Sequence, residues 1–257
     1  MNYGHLIQRS TRYVIALSQH TGSTKLGTID CPVMAEPGRK RLRRSKDISQ
    51  SEKSAKHKLV EKVNSLSAPE FFAEFDTSEG ISAVLKLYPR LGSLRVAASD
   101  ISPGYLEECL RLIETTSGED YNNSEIKWSP SKKRREMKLP DMKYILVTEQ
   151  DHVVGFVSFM VTYEDGNEVV YIYEIHFSQD WRAKGLGRKL MDVVEVIGRN
   201  VGVTKVMLTV FKANIRAVQW YIKLGYAEDE FSPRARKLRN GTIKEPTYII
   251  LSKPLTS

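Results

Sequence analysis

Apolar residues along this chain recur with two different periods. Ile48, Ala55, Leu59, Val63 and Leu66 fall at helical spacing and predict an amphipathic helix from an Asp47 cap to about Leu66, ended by Ala68-Pro69. Its other face is Lys, Glu and Ser, so the apolar face is expected to dock on a globular body. Ile81 to Tyr88 reads as a first strand. Ser102-Pro103 starts a helix with proline at its first position. Tyr105, Leu106, Cys109, Leu110 and Ile113 form its stripe, and Ser117-Gly118 closes it. Asp120 to Pro140 reads as a polar loop. Tyr144–Glu149, Val153–Tyr163 and Val169–Phe177 then read as strands. They are separated by Gln150-Asp151-His152 and by the hairpin turn Glu164-Asp165-Gly166-Asn167, which makes an antiparallel meander. Leu186 to about Val201 is a helix with Leu190, Val193, Val194 and Ile197 facing in and Gly202 as C-cap. Lys205–Phe211 is an almost continuous apolar strand, as expected when both faces are covered. Asn214 caps a helix through Lys223. Two more strands are expected near Ala227–Phe231 and Thr247–Leu251, with a basic loop between them.

The 257 residues suit one large domain, or one domain with a tail. Hydrophobic residues make up 41%, so part of the chain is expected not to pack. We divide it into an N-terminal extension over 1–37, a basic arm and helix over 38–68, and a folded domain over 69–257. The extension has the weak look of a transit peptide, and disorder is the plainer expectation. Met34 is also a candidate start for a shorter product. A net charge of +8 favours an anionic partner, or else a basic tail joined to a near-neutral domain. Arg39 to Lys46 is such a tail: a nuclear-import or nucleic-acid segment, or a solvated arm. Cys31 and Cys109 form no CxxC pair and the five histidines are scattered, so neither a metal nor a disulfide framework is expected. A reducing compartment fits, and no apolar run has the length of a membrane helix.

The chemistry concentrates in YIYEIHFSQDWRAKGLGRK, Tyr171 to Lys189. Glu174 is a lone carboxylate in an apolar strand, which marks it for work. Two glycines in Arg182-Ala183-Lys184-Gly185-Leu186-Gly187 let backbone N–H groups approach a ligand at a helix N-terminus, and the bases add charge. That is a pyrophosphate cradle. Cys109 sits on an apolar stripe and reads as core. Tyr121 and Trp128 either anchor the polar loop or touch substrate, and Lys132 to Arg135 reads as a solvated helical face. Tyr171 and Tyr173 alternate onto one strand face while Glu174 points away. All three can serve one site only if the strand is irregular between Tyr171 and Phe177; otherwise the tyrosines are core.

Arg182 to Gly187 resembles the R/Q-x-x-G-x-G/A signature of the GNAT acetyltransferase superfamily. The element order also resembles that fold, an α/β (α+β) architecture with a mixed central sheet flanked by helices and here an added N-terminal helix. The resemblance implies acetyl-CoA as co-substrate, without a metal, and attack of a neutral amine on its thioester. Glu174 would be the base, which requires its pKa to be raised by burial. Tyr221 would protonate the leaving thiolate. YIYEIHF, RAKGLG, KVMLTVFKANIRAVQWY and TYIILS, with Tyr121 and Trp128 in Y-x-x-S-E-x-x-W, resemble more closely the N-alpha-acetyltransferase D family, which acetylates the N-terminal serine of histone H4 and histone 2A. That resemblance implies Ile175, His176, Phe177, Arg182, Ala183, Lys184, Gly185, Leu186, Gly187, Arg188 and Asn214 on acetyl-CoA. It implies Tyr121, Trp128, Tyr171, Tyr173, Thr209 and Tyr248 on the peptide, with Tyr173 beside Glu174 at the reaction. The chain departs from the family at Ile126 (a second tryptophan there), Thr162 (an acid) and Arg236 (a serine). Glu164, Asp165 and Glu168 either replace that acid or solvate a turn. A monomer in nucleus and cytoplasm is expected, with ribosome or chromatin contact through the basic arm. Acetylation of lysine side chains or small amines, and a catalytically idle binding module, are the alternative readings.

Overall fold

The computed structural model describes residues 59–78 and 80–255. The extension, the basic arm, Cys31, Met34 and most of the predicted first helix lie outside the described residues. Residues 59–64 are helical, with Val60 and Val63 buried in the larger core. Asn64 donates from Nδ2 to the Val161 carbonyl at 2.9 Å, which ties this helical stretch to the sheet. That stretch stops at residue 64, ahead of Ala68-Pro69 as expected. Pro69 lies in the first turn of a new helix, α1 (Ala68–Phe75), where the Ser67 N–H donates to Glu70 at 2.9 Å.

The expected strand over Ile81–Tyr88 is instead a helix, α2 (Gly80–Leu85). Ile81 and Leu85 lie four apart and both pack on the larger core, so helical spacing prevails over β-branched composition. The first strand is β1 (Leu91–Ala97), which pairs antiparallel with β2 (Lys143–Glu149). Between them, α3 (Pro103–Asn123) runs on through Ser117-Gly118 for another turn and a half. Tertiary tethers hold that extension: Thr116 bonds His176 and Tyr121 bonds Glu174. The supposed loop over 120–140 therefore holds the end of α3 and a further helix, α4 (Pro130–Glu136).

The meander is as expected: β2, β3 (His152–Glu164) and β4 (Asn167–Phe177) pair antiparallel. Asp165 and Gly166 have φ of 47° and 83°, the left-handed pair of a tight hairpin. Glu164 is half-buried, and burial with the neighbouring Asp165 charge pushes its carboxyl up to about 7. Glu168 is buried, so of the three acids only Asp165 simply solvates the turn. A 3-10 turn (Gln179–Trp181) leads into α5 (Leu186–Val201), then β5 (Lys205–Phe211) and α6 (Ile215–Lys223). β6 (Ala227–Glu228) and β9 (Tyr248–Pro254) complete a sheet of order β1-β2-β3-β4-β5-β9-β6. The basic loop between them forms a two-stranded hairpin, β7 (Arg236–Lys237) with β8 (Ile243–Lys244), and Arg236 is exposed on it.

Sheet faces bury two cores. One lies under α1, α2 and α5; the other lies under α3 and includes Cys109, whose thiol burial pushes up. β4 and β5 are parallel, and their ladder covers only Val169–Ile172 against Lys205–Leu208. Beyond it β4 runs on to Phe177 without a parallel partner, and β5 runs on to Phe211 paired only with β9.

Candidate active site

The irregularity required of β4 is present. Ser158 pairs with Glu174 but Phe159 pairs with Ile172, so Tyr173 is an extra residue on β4. The consequence is visible in the cores. Val170, Ile172, Ile175 and Phe177 all pack on the larger core, with a gap of three residues where strict alternation gives two. Tyr171, Tyr173, Glu174 and His176 are left to the opposite side. The Tyr171 and Tyr173 rings are 5.3 Å apart, and the Tyr171 hydroxyl bonds Thr209 on β5. Tyr248 is buried at the start of β9, paired with Phe211.

Glu174 is buried under α3 and α4. Its Oε1 accepts from Lys133 Nζ at 2.7 Å and from the Tyr121 hydroxyl at 3.0 Å. Its Oε2 lies 2.6 Å from His176 Nε2, and His176 Nδ1 lies 2.6 Å from the Thr116 hydroxyl. Lys133 also bonds Glu136 at 2.6 Å. Tyr121 stacks with Trp128 at 5.4 Å and with Phe211 at 4.9 Å, while Trp128 Nε1 donates to Glu114 at 2.8 Å. The ring of Tyr121 thus anchors its segment while its hydroxyl reaches the site.

These contacts overturn two expectations. Lys132 and Arg135 are exposed as expected and Arg134 is held by Glu107 at 2.6 and 2.9 Å, but Lys133 is not on the solvated face; it is buried on α4. Nor is the Glu174 carboxyl raised. Burial pushes it up, but Lys133 and His176 outweigh burial and hold it at about 2. Burial opposes the Lys133 ammonium too, yet Glu136 and Glu174 keep it well above the ordinary lysine value. Glu136 itself is raised by burial and by the like charge of Glu174, against the pull of Lys133.

The glycine loop fits a phosphate-bearing ligand. Ala183 and Gly185 have φ of 58° and 81°, and Gly185 is the N-cap of α5. The first N–H groups of that 16-residue helix lack intrahelical partners. Its first turn carries no acid, only Arg188 and Lys189, cations at the positive end of the dipole. An anion would reconcile that arrangement. Arg182 donates to the Phe177 carbonyl at 2.9 Å and fixes the loop to the end of β4. Lys184 lies over the Trp181 ring at 4.4 Å. Asn214 caps α6 by accepting from the Ala217 N–H at 3.1 Å, and its amide reaches Asp120 at 3.3 Å. Ile175 to Phe177 pair with β3 on one edge and lie beyond the end of the β4–β5 ladder on the other, which offers an extended ligand a strand edge leading from this loop to Glu174. Tyr221 is buried beside Tyr226, their rings 6.0 Å apart, and burial with the Glu174 charge pushes its phenol up. Among the described residues no group of His, Cys, Asp and Glu could hold a metal ion, and no helix is long and apolar enough to cross a membrane.

Lys133, Glu136, Thr116 and the side chain of His176 are the site residues that sequence reasoning missed. Ser129-Pro130 repeats the helix-start signal of Ser102-Pro103, and Lys133 with Glu136 is a helical pair, so a signal for α4 was present.

A meander, a ladder that ends midway and a glycine loop opening the next helix make this the GNAT acyl-CoA N-acyltransferase fold. Residues 108–226, just under half of the chain, match the model of the acetyltransferase (GNAT) family. N-alpha-acetyltransferase 40 of Saccharomyces cerevisiae is 30% identical over 152 residues, 50% of this chain and 53% of that protein. The chain thus spans about half the length of this curated relative. Two solved structures are similar more distantly. The ribosomal-protein-S18-alanine N-acetyltransferase of Escherichia coli has 16% identity and a TM-score of 0.45, over 65% of this chain and 96% of that one. The PaiA N-acetyltransferase of Thermoplasma acidophilum, in complex with coenzyme A, has 13% identity and a TM-score of 0.45, over 64% and 98%. Likeness at that level says nothing about activity.

Proposed function

We propose that this protein is an acetyl-CoA-dependent N-alpha-acetyltransferase acting on the free N-terminus of proteins, with the N-terminal serine of histone H4 and of histone 2A as substrates. The observation that carries this reading is the Tyr173 bulge. It sets Tyr171, Tyr173 and Glu174 on one side of β4, beside the point where the β4–β5 ladder ends. Aromatic walls then flank a carboxylate where a threaded chain terminus would meet an extended thioester. The yeast relative supports N-alpha-acetylation.

Acetyl-CoA supplies a thioester carbonyl. The chain's own part begins with the N–H groups of residues 183–188, which would hold the phosphates. The exposed backbone of Ile175 to Phe177 would align the pantetheine arm, with Asn214 beside it. Glu174 cannot strip an ammonium before attack. Moving a proton from an α-ammonium of pKa near 8 to a carboxyl near 2 costs about 8 kcal/mol. The amine therefore arrives uncharged, and Glu174 accepts its N–H. As the C–N bond forms the nitrogen becomes far more acidic, and Glu174 takes the proton then, as general base. Tyr221, kept protonated by burial, is placed in the resemblance-based role of returning a proton to the departing sulfur.

A Ser-Gly-Arg-Gly peptide with free and with blocked N-terminus, beside acceptors offering only lysine, tests this. Transfer to the free terminus alone is expected. Transfer to the blocked peptide would overturn N-alpha specificity, and no acetyl-CoA turnover on any acceptor would favour a binding module. This reading expects a monomer in nucleus and cytoplasm, with the basic residues 39–46 available to ribosome or chromatin.

A further inference from the structure

Glu174 has about four lone-pair directions as a carboxylate. Lys133 and Tyr121 occupy both on Oε1, and His176 occupies one on Oε2. The direction left over is on Oε2. The Lys133 ammonium is itself held on three sides, by Glu136 at 2.6 Å, Glu174 at 2.7 Å and the face of Tyr121 at 4.9 Å from its centroid. Both Lys133 and Glu174 are only 7% exposed, so water does little to screen the pair. Lys133 is drawn inward from a run of four bases on a seven-residue helix, at the cost of desolvating an ammonium. A solvated helical face needs no such burial.

We propose that Lys133, braced by Glu136, is a positioning residue of this site: it pins Glu174 Oε1 so that Oε2 presents one free acceptor to the incoming amine. The idea rests on the acetyltransferase reading above and sharpens its selectivity. A pinned, ion-paired carboxylate selects for amines that arrive neutral. Near pH 7 an α-amine, of pKa about 7.7–8.0, is neutral a few hundred times more often than a lysine side chain of about 10.4. Lys133 would thus contribute to the preference for a chain terminus without touching the substrate.

The groups facing Glu174 are Lys133 and Glu136 from α4, Tyr121 from α3, Tyr144 from β2, Tyr221 from α6, and His176 from its own strand. Of these, Lys133 is the cation that opposes burial most strongly. Lys133→Met should therefore let the Glu174 carboxyl titrate well above the ordinary carboxylate value. Two measurements separate this inference from the acetyltransferase reading. In substrate-free protein carrying 13C-carboxyl Glu, with Glu174→Gln for assignment, the Glu174 resonance should stay ionised below pH 4 in wild type and titrate above pH 5 in Lys133→Met. In acetylation of the free peptide, log(kcat/KM) for wild type should rise with a slope of about one toward the amine's own pKa. The Lys133→Met slope should steepen toward about two below the new Glu174 pKa, and Lys133→Arg should restore about one. Lys133→Met/Glu136→Gln, which leaves one carboxylate fewer unpaired, guards against a fold defect and should keep the steep limb. A uniform loss at every pH with an unmoved Glu174 resonance would overturn the role of Lys133. A wild-type chain that acetylates nothing would overturn the acetyltransferase reading, while the resonance would still decide whether Lys133 sets the state of Glu174.

Discussion

Glu174→Gln separates stability from catalysis, because Glu174 holds a buried ion pair and is also the proposed base. The side chain loses its charge but keeps a carbonyl that can accept from Lys133 and Tyr121, and Lys133 keeps Glu136. Leaving a buried charge wholly unpaired costs about 3–5 kcal/mol; the surviving partners bring the expected loss to about 2–3 kcal/mol. Proton linkage gives a similar figure independently. A carboxyl lowered from 4.5 to about 2 contributes about 3 kcal/mol at neutral pH. The sign follows from the lowered value. The contribution is fully present above about pH 4.5 and is lost as pH falls through about 2. Urea unfolding followed by tryptophan fluorescence should show the variant less stable by that amount at pH 7, with the gap closing on acidification. A gap of zero at pH 7, or one that does not change with pH, would refute the ion-pair account. Catalysis is read separately, at a urea-free pH where both proteins are folded. Turnover should fall by about 10²- to 10⁴-fold, the usual worth of a positioned base. Acetyl-CoA affinity should hold within about twofold, since residues 182–188 make no bond to Glu174. Unchanged turnover would refute Glu174 as the base.

Three further outcomes follow from the structure. In Gly155→Ala the new Cβ would lie 2.1 Å from the Phe177 ring, so the ring must move; unfolding should show a loss of about 1–3 kcal/mol, and acetyl-CoA titration a weaker affinity, because the Phe177 carbonyl anchors Arg182. Gly185→Ala meets no atom within 4 Å but must adopt a φ of 81°, so about 1 kcal/mol of strain should appear as a raised KM for acetyl-CoA with the peptide KM unchanged. Lys143 is lowered to about 8 by burial, against the pull of Asp141, so the wild type should gain stability as pH rises from about 8 toward 10.5; Lys143→Met should abolish that rise and be neutral or stabilising at pH 7, read by urea unfolding across the range.

The frame of the fold was legible because its signals are local. The meander, the Asn214 cap, the Gly202 stop and the glycine loop each depend on residues close in sequence. Failures arose where distant partners decide. Gly118 reads as a helix stop, yet Thr116 and Tyr121 are held by His176 and Glu174 from β4, and their bonds carry α3 onward to Asn123. Ile81 to Tyr88 carries strand-like residues, but Ile81 and Leu85 find one apolar surface together only as a helix. The direction of the Glu174 shift failed for the same reason. Burial could be inferred from the strand; the cation opposing it stands 41 residues away on a helix with no apolar stripe to announce it.

The bulge is the instructive case, because chemistry predicted it before periodicity did. Two tyrosines and a carboxylate at 171, 173 and 174 cannot share one side of a regular strand. The apolar positions carry the same information independently. Val170, Ile172, Ile175 and Phe177 face one core only if a residue is inserted between Ile172 and Ile175. A regular register would turn Ile175 and Phe177 away from that core, or else Val170 and Ile172. Packing therefore enforces the bulge that a site shared by Tyr171, Tyr173 and Glu174 needs. The same slip sends His176 to the side of Glu174, where its ring fills Oε2. Deleting Tyr173 is therefore a clean test. It would restore strict alternation with Val170, Ile172, Ile175 and Phe177 still on the core face and Tyr171, Glu174 and His176 still opposite. β4 should thus keep its fold while the site loses one aromatic wall; unfolding of the deletion variant, read by circular dichroism, would refute the bulge account.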